Sequence, residues 1–444
     1  MFKNSLVKIP IQKRSVIEWM VLLIIMLPFA FSGLNEVFMI PDVIRFAIDL
    51  FLIFILIALA LKGYIIIHKN YAPLFFLIIV FFIYTLFVQI FNYQSIFYYV
   101  WGLRNNFRFY VAFFLFIMFL NESESDKYLK WFDIVFWINF FICIYQYFIL
   151  GYNQDHLGGI FGVKTGCNAY LNLFFCITIT KAIIDYLNKK EKVWILILKL
   201  VISIFVSALA ELKFFFIELI VIVCVAVLVT AFTWRKFFII IFSAIVLIVG
   251  IFALVNIFPE FVGLFTLEEL LKSASSDSGY TSSGDINRLN AFAVISKNIL
   301  ITIPQKLFGF GLGNCDLSSI SIFNTPFYER FSSLNYKWFS TSFWFLEGGY
   351  IGFGLFISFF VVCFILSLKL YKSGKARSDF CQISMVMCVV CLMSVIYNAA
   401  LRLEIAYLVY FVLALPFISA KNTIETEETH PIIQDEITVL PDAS

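Results

Sequence analysis

Long apolar stretches alternate with short polar segments along most of the chain. Most stretches approach the roughly 20 residues that an α-helix needs to cross the hydrocarbon core of a bilayer. The pattern therefore predicts a polytopic, all-α membrane protein. About twelve spans are predicted, at residues 16–34, 43–61, 72–91, 107–120, 131–150, 168–187, 193–210, 214–232, 237–258, 339–368, 379–398 and 403–419.

Two of these spans have unusual lengths. The fourth is too short for a crossing unless its helix extends back over Phe97 to Arg104. The tenth is long enough to tilt or break, and a break is expected near its glycines, Gly348, Gly349, Gly352 and Gly354.

Composition supports one membrane domain and argues against one class of partner. Apolar residues make up 62% of the chain and charged residues 14%, so a single transmembrane domain is predicted over residues 1–420. With 32 Lys and Arg against 29 Asp and Glu, the net charge of +3 is too small to suggest nucleic-acid binding. The acidic segment 421–444 is typical of a disordered cytoplasmic tail.

The distribution of basic residues predicts the orientation. With the N-terminus in the cytoplasm, 20 of the 32 Lys and Arg residues lie on the cytoplasmic side, as the positive-inside rule requires. Half of the remaining 12 belong to one long outer loop, 259–338, which lies between the ninth and tenth spans and is too long for the rule to cover. Both termini are therefore predicted to be cytoplasmic.

A small set of charged residues is predicted to lie on the outer side, apart from the long loop. A cation at or within the membrane surface costs several kcal/mol unless it is paired. These residues are therefore expected to meet each other or an anionic ligand, although snorkelling to lipid headgroups is an alternative for any one cation. The set is Arg104, Arg108, Lys164, Glu211, Lys213 and Arg402.

The long outer loop contains two further candidate elements. Helical spacing of apolar residues predicts a helix over 287–301 with Asp285 as its N-cap, so Arg288 would stand on the first turn, facing a ligand or solvent. Alternating glycines follow at Gly309, Gly311 and Gly313. No βαβ unit accompanies them, so a nucleotide loop is rejected, and the glycines favour either backbone approach to an anion or close packing.

Several segments together resemble a family of membrane enzymes. The late part of the chain carries, in order, Arg288–Ala291, Pro304, Gly309–Gly313 and Thr341–Gly352. Earlier segments that agree are Trp101–Arg108, Gly158–Asn168 and Ala210–Lys213. With one large outer loop late in the chain, the sequence resembles bacterial O-antigen and exopolysaccharide polymerases of the Wzy type and the related O-antigen ligases.

The resemblance implies a GT-C-like fold and a function in polysaccharide or lipopolysaccharide biosynthesis at the bacterial inner membrane. The implied enzyme is a glycosyltransferase that polymerises undecaprenyl-diphosphate-linked oligosaccharide repeats into O-antigen, capsular polysaccharide or exopolysaccharide. Its active site would face the periplasm, and a chain-length regulator protein is a possible further partner.

The chemistry of the leaving group then selects candidate residues. Departure of a lipid diphosphate builds negative charge that a metal or fixed cations must neutralise. The predicted outer side has no suitable carboxylate pair, so metal-independent catalysis without a cofactor is predicted. Arg288 is the candidate catalytic cation, and the diphosphate is predicted to bind Arg104, Arg108, Lys164, Lys213 and Arg402.

The general base and the exact reaction stay open. Glu211, Glu347 and His156 are all candidates for a base that accepts the proton of the sugar hydroxyl. Related ligases rely on a histidine in the outer loop just before the tenth span, and its absence here favours a polymerase. The alternatives are an O-antigen ligase that transfers polymer to the lipid A core, a transporter or flippase for the same lipid-linked glycan, and a structural membrane scaffold.

Overall fold

The computed structural model describes residues 11–29, 49, 52, 67–231, 234–257, 278–281, 283–317 and 323–429. It is about 78% helical and has no strands in those residues. Five of the described helices are long and apolar enough to cross a membrane. The prediction of an all-α membrane protein is thereby confirmed.

Fourteen α-helices are used below, numbered in chain order. They are α1 (Ile11–Phe29), α2 (Ala72–Phe91), α3 (Ile96–Phe119), α4 (Glu122–Phe148), α5 (Asn168–Leu187), α6 (Val193–Leu209), α7 (Lys213–Val229), α8 (Trp234–Ile257), α9 (Ala291–Asn298), α10 (Ile303–Phe308), α11 (Pro326–Phe331), α12 (Ser340–Ser373), α13 (Ser378–Tyr397) and α14 (Ala406–Thr429).

Most predicted spans coincide with one of these helices. The second span falls largely outside the described residues, in which Asp49 and Leu52 are helical. Helix α3 begins at Ile96, as the predicted backward extension of the fourth span requires, and the Ser95 hydroxyl caps it by accepting from the Phe97 amide. Helix α14 continues to Thr429, beyond the predicted start of the tail, and the residues after it lie outside the described ranges.

The helices differ in how much of their surface faces other helices. In the most apolar part of α5, 89% of residues are buried, and in α13 the share is 72%. In α2 only 28% are buried, so the outward apolar face of this helix is suited to contact with lipid. Aromatic rings fill the centre, where Tyr110 and Phe113 of α3 pack against Phe359 of α12 and Tyr410 of α14.

Charged residues separate into two groups at opposite ends of the bundle. At one end, Arg377 pairs with Asp126 at 2.6 Å and Lys190 pairs with Asp379 at 2.6 Å. At the other end, the described part of the long loop packs on the start of α3, where Asn105 donates to Asp316 at 2.6 Å. These residues, predicted to be inside and outside respectively, lie at different ends of the bundle, which we name after that prediction the inner end and the outer end.

The helix predicted in the long loop is shorter than expected, and its predicted cap was wrong. Helix α9 begins at Ala291, with Asn290 at the N-cap position, so Arg288 precedes the helix. Asp285 instead accepts hydrogen bonds from Ser283 Oγ at 2.9 Å and Asn335 Nδ2 at 2.7 Å. These bonds tie two parts of the loop together, which leaves the carboxylate unavailable for the helix.

Helix α12 is broken at one of the four glycines that the sequence singles out. Gly349 has φ +59° and ψ −163°, a conformation that is essentially restricted to glycine. Because of the break, several backbone carbonyls of α12 no longer accept hydrogen bonds from within the helix. The Phe310 amide donates to Leu346 O at 2.8 Å, the Gly311 amide to Glu347 O at 2.9 Å, and Tyr84 Oη to Gly348 O at 2.6 Å.

This arrangement predicts that Gly349→Ala destabilises the protein. The added methyl group would meet the backbone of Leu307, and the residue would be strained at positive φ, at a cost of about 1–3 kcal/mol. Gly354→Ala is the matched control in the same helix, because no neighbouring group in the described ranges lies within 4 Å of its added methyl group. Thermal unfolding in detergent should give a lower Tm for Gly349→Ala than for Gly354→Ala, and equal values would contradict the analysis of the break.

Candidate functional site

At the outer end, two of the predicted arginines share one buried carboxylate. Asp49 is completely buried, and its Oδ2 accepts from Arg104 Nη2 and, at 2.8 Å, from Arg108 Nη1. Its Oδ1 accepts from the Tyr407 hydroxyl at 2.6 Å. Arg108 Nη2 also pairs with Glu404 Oε1 at 3.2 Å. Because unpaired charges are costly in an apolar interior, Asp49 is required to hold the two guanidinium groups side by side.

Arg402 lies in an adjoining set of contacts. Its Nε donates to Asn106 Oδ1 at 3.1 Å, and its Nη2 is 3.4 Å from Asp316 Oδ2. Its guanidinium carbon lies 3.0 Å from the centre of the Phe343 ring. Arg108 Nη2 also approaches Arg402 O, at 3.4 Å. The structure therefore brings Arg104, Arg108 and Arg402 together, as predicted for a common cluster, but each of them is engaged by a carboxylate.

Glu347, one of the predicted bases, lies beneath the glycine-containing loop. It is 1% exposed, and its Oε1 accepts from the Cys315 amide at 3.1 Å. Its Oε2 has no hydrogen-bond partner among the described residues. Close packing is evident around it, since a side chain at Gly309 would meet the Glu347 backbone and one at Gly313 would meet Tyr98. The alternating glycines thus hold the loop against α12 and α3.

The nearby thiol is part of the same packed region. Burial, together with the neighbouring Glu347 carboxylate, raises the pKa of Cys315 well above its ordinary value. Since the thiolate is the reactive form of cysteine, this residue is a packing group in the loop.

Arg288 lies in different surroundings from the three clustered arginines. Its Nε donates to Tyr397 O at 2.8 Å, and its guanidinium carbon lies 4.8 Å from the centre of the Tyr397 ring. No carboxylate in the described part of the chain pairs with it, and its Nη1 and Nη2 make no hydrogen bond there. The side chain is partly exposed. Tyr397 therefore holds the Arg288 side chain in place, while Nη1 and Nη2 remain available to donate hydrogen bonds to a ligand.

The turn that carries Glu211 and Lys213 reaches the same tyrosine. Phe214, which follows Lys213, stacks on Tyr397 with ring centres 4.3 Å apart and planes 8° apart. Glu211 has φ +50° and a partly exposed side chain, and neither it nor Lys213 forms a side-chain ion pair within the described ranges. Tyr397 thus connects Arg288 to the turn that contains a candidate base and a second candidate cation.

The loop that carries Lys164 is anchored beside this turn. Asn168 Nδ2 donates to Asp155 Oδ1 at 2.8 Å and to Ala210 O at 3.3 Å, which joins the loop to the turn before Glu211. Lys164 is exposed on this loop. His156 is also exposed, and its Nδ1 contacts Val163 O at 2.9 Å. We call Arg288, Tyr397, Glu211, Lys213 and Lys164 the outer mouth.

Sequence reasoning missed the carboxylates that pair with the arginines. Asp49 and Glu404 lie within predicted apolar spans and were not considered as charged groups, and Asp316 in the long loop was not identified as a candidate. Glu218 was missed for the same reason: it is completely buried in α7, where Asn172 Nδ2 donates to it at 2.8 Å and Ser394 Oγ at 3.1 Å. The signal was an acidic residue inside a membrane span, which is rare enough to be treated as a functional candidate.

Comparison with known proteins does not assign the chain to a family. Neither a family model nor a curated protein matches the chain. The resemblance to polymerases therefore rests on the sequence segments quoted above.

The shared carboxylate predicts a large effect for Asp49→Asn. The substitution leaves Arg104 and Arg108 without their common counter-charge in a buried position, and breaking a buried ion pair costs about 3–5 kcal/mol. Asp126→Asn is the control, because the Asp126 side chain is 41% exposed and an exposed ion pair contributes about 0–1 kcal/mol. Unfolding in detergent should show a much larger loss for Asp49→Asn, and similar losses would refute this role of Asp49.

Proposed function

We propose that this protein is a glycosyltransferase that polymerises undecaprenyl-diphosphate-linked oligosaccharide repeats at the outer face of a bacterial inner membrane. In this proposal the fold has about twelve spans in a GT-C-like arrangement, and both termini are cytoplasmic. The outer end faces the periplasm. The observation that carries the proposal is Arg288, a partly exposed guanidinium group with two available Nη donors at the outer mouth.

The cations of the outer end divide into two roles. Arg104 and Arg108 are balanced by Asp49 and Glu404, and Arg402 is balanced by Asp316. These pairs reduce the positive charge that the three arginines present to a ligand, so their main contribution is to fix α3, α14 and the long loop relative to each other. Arg288, with Lys213 and Lys164 nearby in the outer mouth, is left to bind the diphosphate directly.

The reaction follows from this placement. The acceptor sugar hydroxyl attacks the anomeric carbon of the donor, a new glycosidic C–O bond forms, and the bond from that carbon to the diphosphate oxygen breaks. Arg288 donates hydrogen bonds to the departing diphosphate, which carries away the electron pair. Glu211 accepts the hydroxyl proton. Its side chain is partly exposed and has no ion-pair partner among the described residues, which suits this role better than the burial of Glu347.

The proposal predicts that Arg288→Ala greatly slows chain growth without removing the protein from the membrane. Losing a donor to a developing negative charge typically lowers the rate by roughly 10²–10³-fold. Cells carrying the variant should display lipid-linked or surface glycans of a single repeat unit. Arg330→Ala is the matched control, because Arg330 is an exposed arginine in the same loop that contacts only the Phe331 ring in the described structure.

Other outcomes of this experiment favour other functions. Long polymer that accumulates on the carrier lipid in Arg288→Ala cells would indicate a ligase. Repeat units trapped in the cytoplasmic leaflet would indicate a transporter or flippase. Normal long-chain polymer in the variant would contradict the role of Arg288.

A reconstituted reaction tests whether fixed cations suffice. Purified protein in lipid vesicles, mixed with undecaprenyl-diphosphate-linked repeats, should produce a ladder of longer glycans on a sizing gel. Because Arg288, Lys213 and Lys164 neutralise the leaving group in this proposal, addition of a chelator should leave the ladder unchanged. Loss of the ladder on chelation, with recovery when a divalent cation is restored, would show that a metal performs this task.

A further inference from the structure

The short segment from Ile301 to Leu307 exposes apolar side chains. Ile301 is 69% exposed, Ile303 is 74% exposed and Leu307 is 38% exposed. Helix α10 nevertheless has a well-formed start, since Thr302 and Gln305 make a reciprocal capping box. The segment is thus folded, while its apolar edge is covered by no other described part of the chain.

Contacts with α2 fix the depth of this segment in the bundle. Leu307 O accepts from the Tyr84 hydroxyl at 3.3 Å, and the Phe308 ring lies 5.9 Å from the Phe87 ring. Tyr84 precedes the end of α2 at Phe91 by seven residues, which corresponds to about 10 Å along the helix. Since a 20-residue helix such as α2 is about as long as the hydrocarbon core is thick, the end of α10 at Leu307 and Phe308 lies beside a part of α2 that would be within the core.

The exposed edge is continuous with a surface suited to lipid. On α2, Ile83 is 58% exposed, Phe87 is 49% exposed and Ile90 is 66% exposed. Because α2 is one of the candidate spans, this face is suited to contact with acyl chains. Phe308 packs against Phe87 and Phe91 of α2, so the exposed side chain of Leu307 adjoins the same apolar surface, and Ile303 lies one helical turn before Leu307 in α10.

The non-helical backbone at Gly309–Gly311 is paired with groups of the protein. Non-helical backbone at membrane depth is tolerated only where protein groups or water satisfy its polar atoms. Here Asn92 Nδ2 donates to Gly309 O at 3.0 Å, and the Phe310 and Gly311 amides donate to carbonyls freed by the break in α12. The broken helix and the loop therefore complete each other's hydrogen bonds.

We propose that Ile301–Gly313 is a re-entrant segment that enters the bilayer from the outer end. Ile301, Ile303 and Leu307 contact lipid acyl chains, while the glycines pack inward against α12 and α3. The long loop is thus anchored in the membrane at the outer end. This inference does not depend on the proposed enzymatic activity.

Spin-label accessibility tests the placement in the full-length protein in lipid vesicles. Cys224 is the exposed cysteine and the other eight are buried, so a Cys224→Ser background carries the nitroxide at Ile303→Cys. Phe87→Cys, beside Phe308 at the end of α10, is the lipid-facing control, and Ser283→Cys, in the exposed part of the loop, is the aqueous control. Collision rates are measured with oxygen, which concentrates in hydrocarbon, and with a water-soluble nickel chelate.

The expected result is that the label at 303 collides more often with oxygen than with nickel, as the label at 87 does. A label at 303 that prefers nickel, as the label at 283 does, would overturn the proposal. If Ile303→Cys fails to fold or label, Leu307→Cys carries the same expectation, because Leu307 occupies the same exposed edge.

Discussion

The buried ion pairs around Asp49 are the constraint on which the outer end depends. Two guanidinium groups from successive turns of α3 cannot remain in an apolar bundle without counter-charges. Asp49 supplies one to both arginines, and Glu404 supplies a second to Arg108. Tyr170 and Tyr407 then complete the hydrogen bonds of these carboxylates. Because the participants come from distant parts of the chain, meeting their charge requirements also fixes how those parts assemble.

The need for counter-charges distinguishes two kinds of cation at the outer end: those that hold the structure together through ion pairs and those that remain able to bind a ligand. A membrane enzyme that handles a lipid diphosphate needs positive charge that is fixed in place but not already neutralised. Arg104, Arg108 and Arg402 are fixed and balanced by carboxylates, whereas Arg288 is fixed by a carbonyl and an aromatic ring, neither of which removes its charge. The break at Gly349 contributes by binding the glycine loop to α12, which holds the described part of the long loop over the outer end.

Much of the fold follows from local patterns, whereas the site depends on contacts between distant residues. Apolar run lengths located the helices, and the glycine-rich part of the tenth span indicated where α12 breaks. Positive-inside counting selected Arg104, Arg108 and Arg402, which do meet. The counter-ions of Arg104 and Arg108 were hidden inside apolar spans, since hydrophobic periodicity treats Asp49 and Glu404 as interruptions and identifies no partner for them. The Asp285 cap failed because Asn335, 50 residues away, competes for its carboxylate.

Direct binding of the carrier lipid tests the central claim, that Arg288 holds the diphosphate while the buried arginines hold the fold. Native mass spectrometry can compare how much undecaprenyl diphosphate binds to wild type, Arg288→Ala and Arg330→Ala. Hydrogen bonds to charged groups contribute about 1.5–3 kcal/mol each, so Arg288→Ala should weaken binding by roughly tenfold or more while Arg330→Ala binds like wild type. Equal binding by all three proteins, each folded to the same extent, would contradict the account.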